Sequence, residues 1–324
     1  MREKKLGIPY MGSKRKLSKK IVDYILFNHP NTKYIYDLFG GGGAISMEFL
    51  QRKQIKKVIY NELNTQIVEL LKDIRDNGVT PKYFEWISRE TFKEHKDDQD
   101  WYGGMIASCW SFGNNKEKGY MFSKENEDLK RPLHKYIVNN CQESIKEFFE
   151  LTKIDISNVD LITEKSIKNK RLKLMQYIKS QTKVRMDLQH LEQLQQLQQL
   201  QQLEQLEQLE QLERLERLEQ LELSNKSYED VIIDTPIEET IIYCDPPYEN
   251  TASYNMCINH DDFYNFVNNS PYKIYVSSYE APLRCVKAFK HTCSLSQNKN
   301  NQVTEKLFFN KDELNKSELF NKLF

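Results

Sequence analysis

The chain has 324 residues, 47 basic and 47 acidic side chains, and 39% apolar residues, which suffices for one large domain or two ordinary ones and excludes a disordered chain. No run of about 18 apolar residues occurs, and the basic N-terminus MREKKLGIPYMGSKRKL is followed by no apolar segment; a membrane helix and an export signal are not expected, and the chain reads as soluble and cytoplasmic. The six cysteines (109, 141, 244, 257, 285 and 293) make neither a C-x-x-C pair nor a His/Cys cluster with zinc spacing, so free thiols and no metal site are expected.

Neutral net charge is an average over unlike parts. Residues 188–223 contain eight Glu and two Arg, leaving 45 basic against 39 acidic residues elsewhere. Positions 1–20 hold eight Lys/Arg and one Glu, and positions 165–185 hold eight Lys/Arg and no acid. Such patches can track phosphates, although a charge run is more often only a solvated face.

In chain order, the first stretch of interest is PYMGSKRKL (residues 9–17), where Tyr10 and Lys14 read alone as core and surface. From 34 to about 78 short β runs alternate with helical ones: YIYDL, GAISMEFLQRK, KVIYN, then a helix from about Leu63 to Asp76 stopped by Asn77-Gly78. This β-α-β-α unit predicts a parallel sheet. Within it, IYDLFGGGGAI (35–45) runs from a strand through Asp37 and a glycine turn into a helix N-terminus, and Glu62 follows 21 residues after Gly41. That spacing suits a nucleotide-type cofactor, with the acid on ribose hydroxyls; a dinucleotide fits as well.

Residues 80–187 are polar, aromatic and irregular and read as an inserted module. From Leu188 to Leu221 a leucine recurs at every third position. A helix of about 50 Å is expected from 1.5 Å per residue, with leucines winding about 60° per step instead of forming a seam, so a tolerated low-complexity linker is the expectation. The α/β pattern resumes at 241 with IIYCD, a helical stretch near Asp261–Val267 and the strand KIYVS at 273–277. Asp245-Pro246-Pro247-Tyr248 then stands at a strand's carboxyl end, where two prolines hold an acid and an aromatic ring with little freedom.

Taken together, these motifs resemble the Dam-like, D12 class of DNA adenine-N6 methyltransferases, phage and bacterial versions in particular. The family's aromatic-x-G-x-K, D-x-F-x-G-x-G, post-β2 acid and D-P-P-Y stretches appear in order as Tyr10 to Lys14, Asp37 to Gly43, Glu62, and Asp245 to Tyr248; VSSYEAP and TEKLFFN look like the end of such enzymes. The resemblance covers roughly 1–78 and 224–310. It implies a doubly wound Rossmann-like α/β sheet split into 1–79 and 224–324, a mainly helical target-recognition domain at 80–187 and a helical repeat at 188–223. It implies S-adenosylmethionine as cofactor, bound by Tyr10, Lys14, Asp37, Phe39, Gly41, Gly43, Glu62 and Asp245, with Asp245, Pro246, Pro247 and Tyr248 catalytic. Duplex DNA is the implied partner, met by a monomer or a weak dimer.

The recognition insert departs from members that read GATC. Its stretch SCWSFGNNKEKGYMFSKENEDLKRPLH offers Trp110, Asn114, Asn115, Lys116, Tyr120 and Arg131 for bases or phosphates, although aromatic residues in such a run are just as often core, with Lys170 and Arg171 in the basic stretch for phosphates. A P-P-aromatic motif fits any planar amino group, so cytosine N4 and glutamine amides are alternative acceptors. An inactive DNA-binding relative and a nicotinamide-dependent oxidoreductase are competing readings; the latter has no place for Lys14 or D-P-P-Y.

Overall fold

The computed structural model describes residues 6–182, 201–213, 215, 217–248, 258–292 and 302–311. Five short strands rich in β-branched and aromatic residues run parallel: β1 (Tyr34–Asp37), β2 (Lys57–Asn61), β3 (Leu221–Ser224), β4 (Thr240–Cys244) and β5 (Lys273–Ser278). A hairpin, β6 (Arg284–Thr292) and β7 (Gln302–Phe309), completes the sheet, with β7 antiparallel to β5. The order is β3-β2-β1-β4-β5-β7-β6. Chain direction across the sheet reverses between β1 and β4, so the crevice at the carboxyl ends of these two strands is the place where such a sheet receives a ligand.

Both faces of the sheet are covered, and the side-chain alternation of β4 shows it. Ile241 and Tyr243 join the core formed with α1 (Ser18–Asn28), α2 (Ala44–Leu50) and α3 (Thr65–Asn77), whereas Ile242 and Cys244 pack on the opposite face with Phe263, Tyr264 and Val267 of the helix His260–Asn269. This explains why the strand reads as an unbroken apolar run. The predicted β-α-β-α unit forms with its ends shifted by at most three residues, the largest shift being the end of α2 at Leu50 instead of Lys53. Asn64 caps α3 by accepting from the Gln66 N–H, and Gly78 at φ 73° ends it.

Residues 80–182 contribute α4 (Arg89–His95), α5 (Trp101–Cys109), α6 (Lys124–Asn139), α7 (Gln142–Thr152) and α8 (Ile167–Thr182). Their core is continuous with that of the sheet. The contact runs through α5 and α3, where Gly104 lies so close to the Gln66 carbonyl that a Cβ there would stand 2.2 Å from the oxygen.

The leucine repeat departs from the expected linker, although residues 188–200 lie outside the described part. Helix α9 (Gln201–Glu213) packs among α3, α5, α8 and the short turn Pro81–Phe84, and Leu203, Leu206, Leu209 and Leu212 are all fully buried. A stripe that winds is buried when the helix has neighbours on several sides. Beyond it the chain is not helical as expected: Leu218–Gln220 is a 3₁₀ turn and Leu221–Ser224 is the edge strand β3. There the leucine spacing shortens from three to two, placing Leu221 and Leu223 on one strand face and Glu222 on the other, ion-paired to Lys57 of β2. Arg217 fastens the junction, donating to the carbonyls of Leu50 (3.0 Å), Arg52 (2.7 Å) and Ile55. The helix His260–Asn269 is α10. No described helix is long and apolar enough to cross a membrane.

Candidate active site

A cleft of about 720 Å³ opens at the switch point. Its floor comes from the glycine turn after β1. Gly41, at φ 49°, faces the Tyr10 ring, and Gly43, at φ 73°, starts α2; both angles belong to the left-handed region that side chains disfavour. The turn is fixed by the N-terminal stretch, whose Ile8 N–H donates to the Gly42 carbonyl at 2.7 Å, and by the Tyr60 hydroxyl, which donates to the Gly41 carbonyl at 2.5 Å.

Two acids stand at the strand ends. Asp37 is 1% exposed, and burial pushes its carboxyl up to about 7, with the charges of Asp245 and Glu62 adding to the shift. Its Oδ2 accepts from the Ser46 hydroxyl at 2.7 Å, whereas Oδ1 is buried without a hydrogen-bond partner among the described residues. Glu62 accepts from the backbone N–H groups of Gly41 (2.8 Å) and Asn64 (2.9 Å); burial raises its pKa. Phe39 leans on Tyr228 and Phe263 with ring centroids 5.3 and 5.6 Å apart, closing that side.

The Asp-Pro-Pro-Tyr stretch leaves β4 beside these groups. Lys14, 8% exposed in the 3₁₀ turn Lys14–Lys16, donates to Asp245 Oδ1 and Oδ2 at 2.8 and 2.7 Å and to the Tyr248 hydroxyl at 2.7 Å. Its ammonium also lies 5.0 Å from the centre of the Tyr248 ring. Burial, followed by the charges of Asp245 and Glu305, pushes the Tyr248 phenol well above its ordinary value. Pro246 is buried and Pro247 lines the cleft.

Most sequence-predicted site residues therefore converge. Tyr10, Lys14, Asp37, Phe39, Gly41, Glu62, Asp245 and Pro247 line one cleft, with Gly43 behind the turn and Tyr248 joined through Lys14. The proposed DNA contacts divide. Asn114, Asn115 and Lys116 line this same cleft instead of a separate reading surface: Asn114 donates to the Ser108 carbonyl (2.6 Å), Asn115 accepts from the Glu117 N–H (3.0 Å), and Lys116 binds Gln66 (2.9 Å) and Asp97 (3.0 Å). Trp110 is core, fully buried against Trp86 and His134, and the Tyr120 hydroxyl is engaged by the Ile87 carbonyl. Arg131 lies outside the cleft and pairs with Glu147 on α7 at 2.5 Å.

Arg171 corrects the phosphate assignment. It is 7% exposed, and its guanidinium binds Glu207 (2.9 Å) and Glu204 (2.8 Å), tying α8 to the leucine-repeat helix. Its neighbour Lys170 stays at the partly exposed surface.

Sequence reasoning missed Ser46, Tyr228 and Glu305. Glu305 occupies the same strand face as the core residues Leu307 and Phe309, so an acid in step with apolar i+2 and i+4 positions was the available clue. Among the described residues no group of three or more His, Cys, Asp or Glu is arranged to hold a metal ion.

A doubly wound sheet with a cleft at its switch point, lined by buried acids and a glycine turn, defines the class of α/β enzymes that take their ligands at the carboxyl ends of the strands. More narrowly, residues 10–321 match the D12 class N6 adenine-specific DNA methyltransferase family, and the chain belongs to that family. Its reaction is methylation of adenine N6 in DNA, with S-adenosylmethionine as methyl donor. No curated protein matches the chain.

Proposed function

We propose that the enzyme methylates adenine at a short specific site in duplex DNA, flipping the base into the crevice between β1 and β4. The observation that carries this reading is the Lys14–Asp245–Tyr248 network at the switch point, contiguous with the Asp37 and Glu62 cleft.

The residues present fit the cofactor. The partnerless, buried Asp37 Oδ1 is an acceptor suited to an ammonium group, and the Glu62 carboxylate stands where ribose hydroxyls are received. Tyr10, Phe39 and the backbone of Gly41 and Gly43 enclose the methionine part, and Lys14 walls the pocket. S-adenosylmethionine supplies a methyl group made electrophilic by its sulfonium.

Asp245 and the Pro246 carbonyl accept from the N6 hydrogens of the target, which leaves the nitrogen lone pair free. Proline lacks an N–H, so no donor competes there. Tyr248 stacks on the extruded base and recovers part of the few kcal/mol spent on unstacking. The main contribution is alignment, which can supply several kcal/mol.

Residues 80–187 serve as the target-recognition domain, with Lys165, Lys168 and Lys170 at its surface as phosphate contacts and DNA met by a monomer or weak dimer in the cytoplasm of a bacterial or phage-infected cell. The test is incubation with unmethylated duplex DNA and labelled cofactor. Wild type is expected to place label on adenine N6, and Asp245→Ala to abolish transfer while keeping the native circular-dichroism spectrum. Near-normal transfer by Asp245→Ala would remove its assigned role.

A further inference from the structure

We propose that Glu305 is a positioning residue for methyl transfer: it anchors the hydroxyl of Tyr248 and, together with Lys14, fixes the Tyr248 ring and the Asp245 carboxylate before the adenine arrives. The inference rests on the assignment of Asp245 and Tyr248 to the target-base end of the cleft.

Glu305 comes from β7, two strands away from β4. It is 3% exposed, and its Oε1 accepts from the Tyr248 hydroxyl at 2.5 Å and lies 3.8 Å from the Lys14 ammonium. Burying a carboxylate costs several kcal/mol unless charge and hydrogen bonds compensate, and an apolar residue here would complete the face formed by Leu307 and Phe309. The acid is therefore explained by what it holds. Lys14 provides the opposite charge, bridging Asp245 and Tyr248, and Tyr248 Oη lies 3.1 Å from Asp245 Oδ1. The result is a closed ring of four side chains drawn from the N-terminal turn, the loop after β4 and β7.

The geometry specifies which motion is restrained. The phenol oxygen lies on the axis of the Cβ–Cγ bond, so turning the ring about that bond leaves the hydroxyl in place, whereas swinging the side chain about Cα–Cβ carries it away. A hydrogen bond at the hydroxyl thus resists the swing that would empty the stacking position. Tyr279 supports the ring edge-on, with centroids 4.8 Å apart.

The test compares wild type, Glu305→Gln, Tyr248→Phe and the double variant in single-turnover methyl transfer to unmethylated genomic DNA. S-adenosylhomocysteine affinity is measured in parallel. Each single variant is expected to lose roughly ten- to a hundredfold in the transfer rate, cofactor affinity is expected to stay within about threefold, and the double variant to lose no more than the worse single one. A purely structural role would give additive losses or a matching fall in cofactor affinity. Rates for Glu305→Gln within twofold of wild type, or additive losses, overturn the proposal. Should Glu305→Gln fail to fold, Tyr248→Phe decides, since it removes only the anchored hydroxyl: a wild-type rate overturns the proposal and a tenfold loss supports it. Asp245→Ala run alongside separates the two levels. If it stays active the site assignment fails; if it is inactive while the other variants match wild type, only the role of Glu305 fails.

Discussion

Asp37 couples this site to pH. Its carboxyl is held at about 7 by burial, far above that of a free aspartate, so between about pH 4 and 7 the folded state binds a proton that the unfolded chain does not. The stability contribution is full below the free-aspartate value and is lost as pH rises through 7. Asp37→Asn, which cannot ionise, should gain on wild type between pH 5.5 and 8 by about 2 kcal/mol in urea unfolding of the cofactor-free protein; a gap that does not change with pH would contradict this. Arg171 gives a second residue-scale test. Breaking a buried pair leaves uncompensated charge, so Arg171→Ala should cost about 3 kcal/mol of stability while the salt dependence of DNA binding stays that of wild type. Lys168→Ala with Lys170→Ala should do the reverse, lowering the slope of log affinity on log salt by about one to two with little change in stability.

Among the elements, α9 shows how a repetitive sequence becomes structural. Four leucines on a winding stripe are each buried because different neighbours receive them. Leu206→Ala should cost about 2–5 kcal/mol, against about 0.5 for the exposed Leu172→Ala, as measured by chemical denaturation. Equal small effects would mean that α9 is not packed as described. The same element marks a limit of reading by period. The β1-α2-β2-α3 unit and the helix and strand after Asp245 were legible because their apolar period matches their structure and glycine or asparagine marks their ends. β3 was not, since a three-residue Leu-Glu-Leu embedded in triplets carries too little contrast to announce a strand. Trp110 stayed open between base contact and core for a related reason: polar neighbours in sequence concealed an aromatic core assembled from residues 86, 122 and 134.

For the molecule as a whole, the site was legible where one short motif held several of its parts and illegible where a part came from a distant strand. Asp245 and Tyr248 identify each other across two prolines, but Glu305 is 57 positions from its hydrogen-bond partner and is placed by sheet register alone. The central strand pair extends this to the history of the chain. β1 and β4 are neighbours in the sheet yet are separated by roughly 200 residues, which at about 5–20 residues per second means about 10–40 s of synthesis. Throughout that interval β1 and β2 can pair with each other, but the other edge of β1, with its buried Ile35 and Tyr36, has no strand to meet. A nascent chain in this state is a substrate for chaperones and for misassembly. Fragments ending before Thr240 should accumulate as insoluble material on expression, and addition of the β4–β5 segment should shift them toward the soluble fraction. The late arrival of β4 thus makes the complete sheet and the crevice between β1 and β4 appear together, at the end of synthesis.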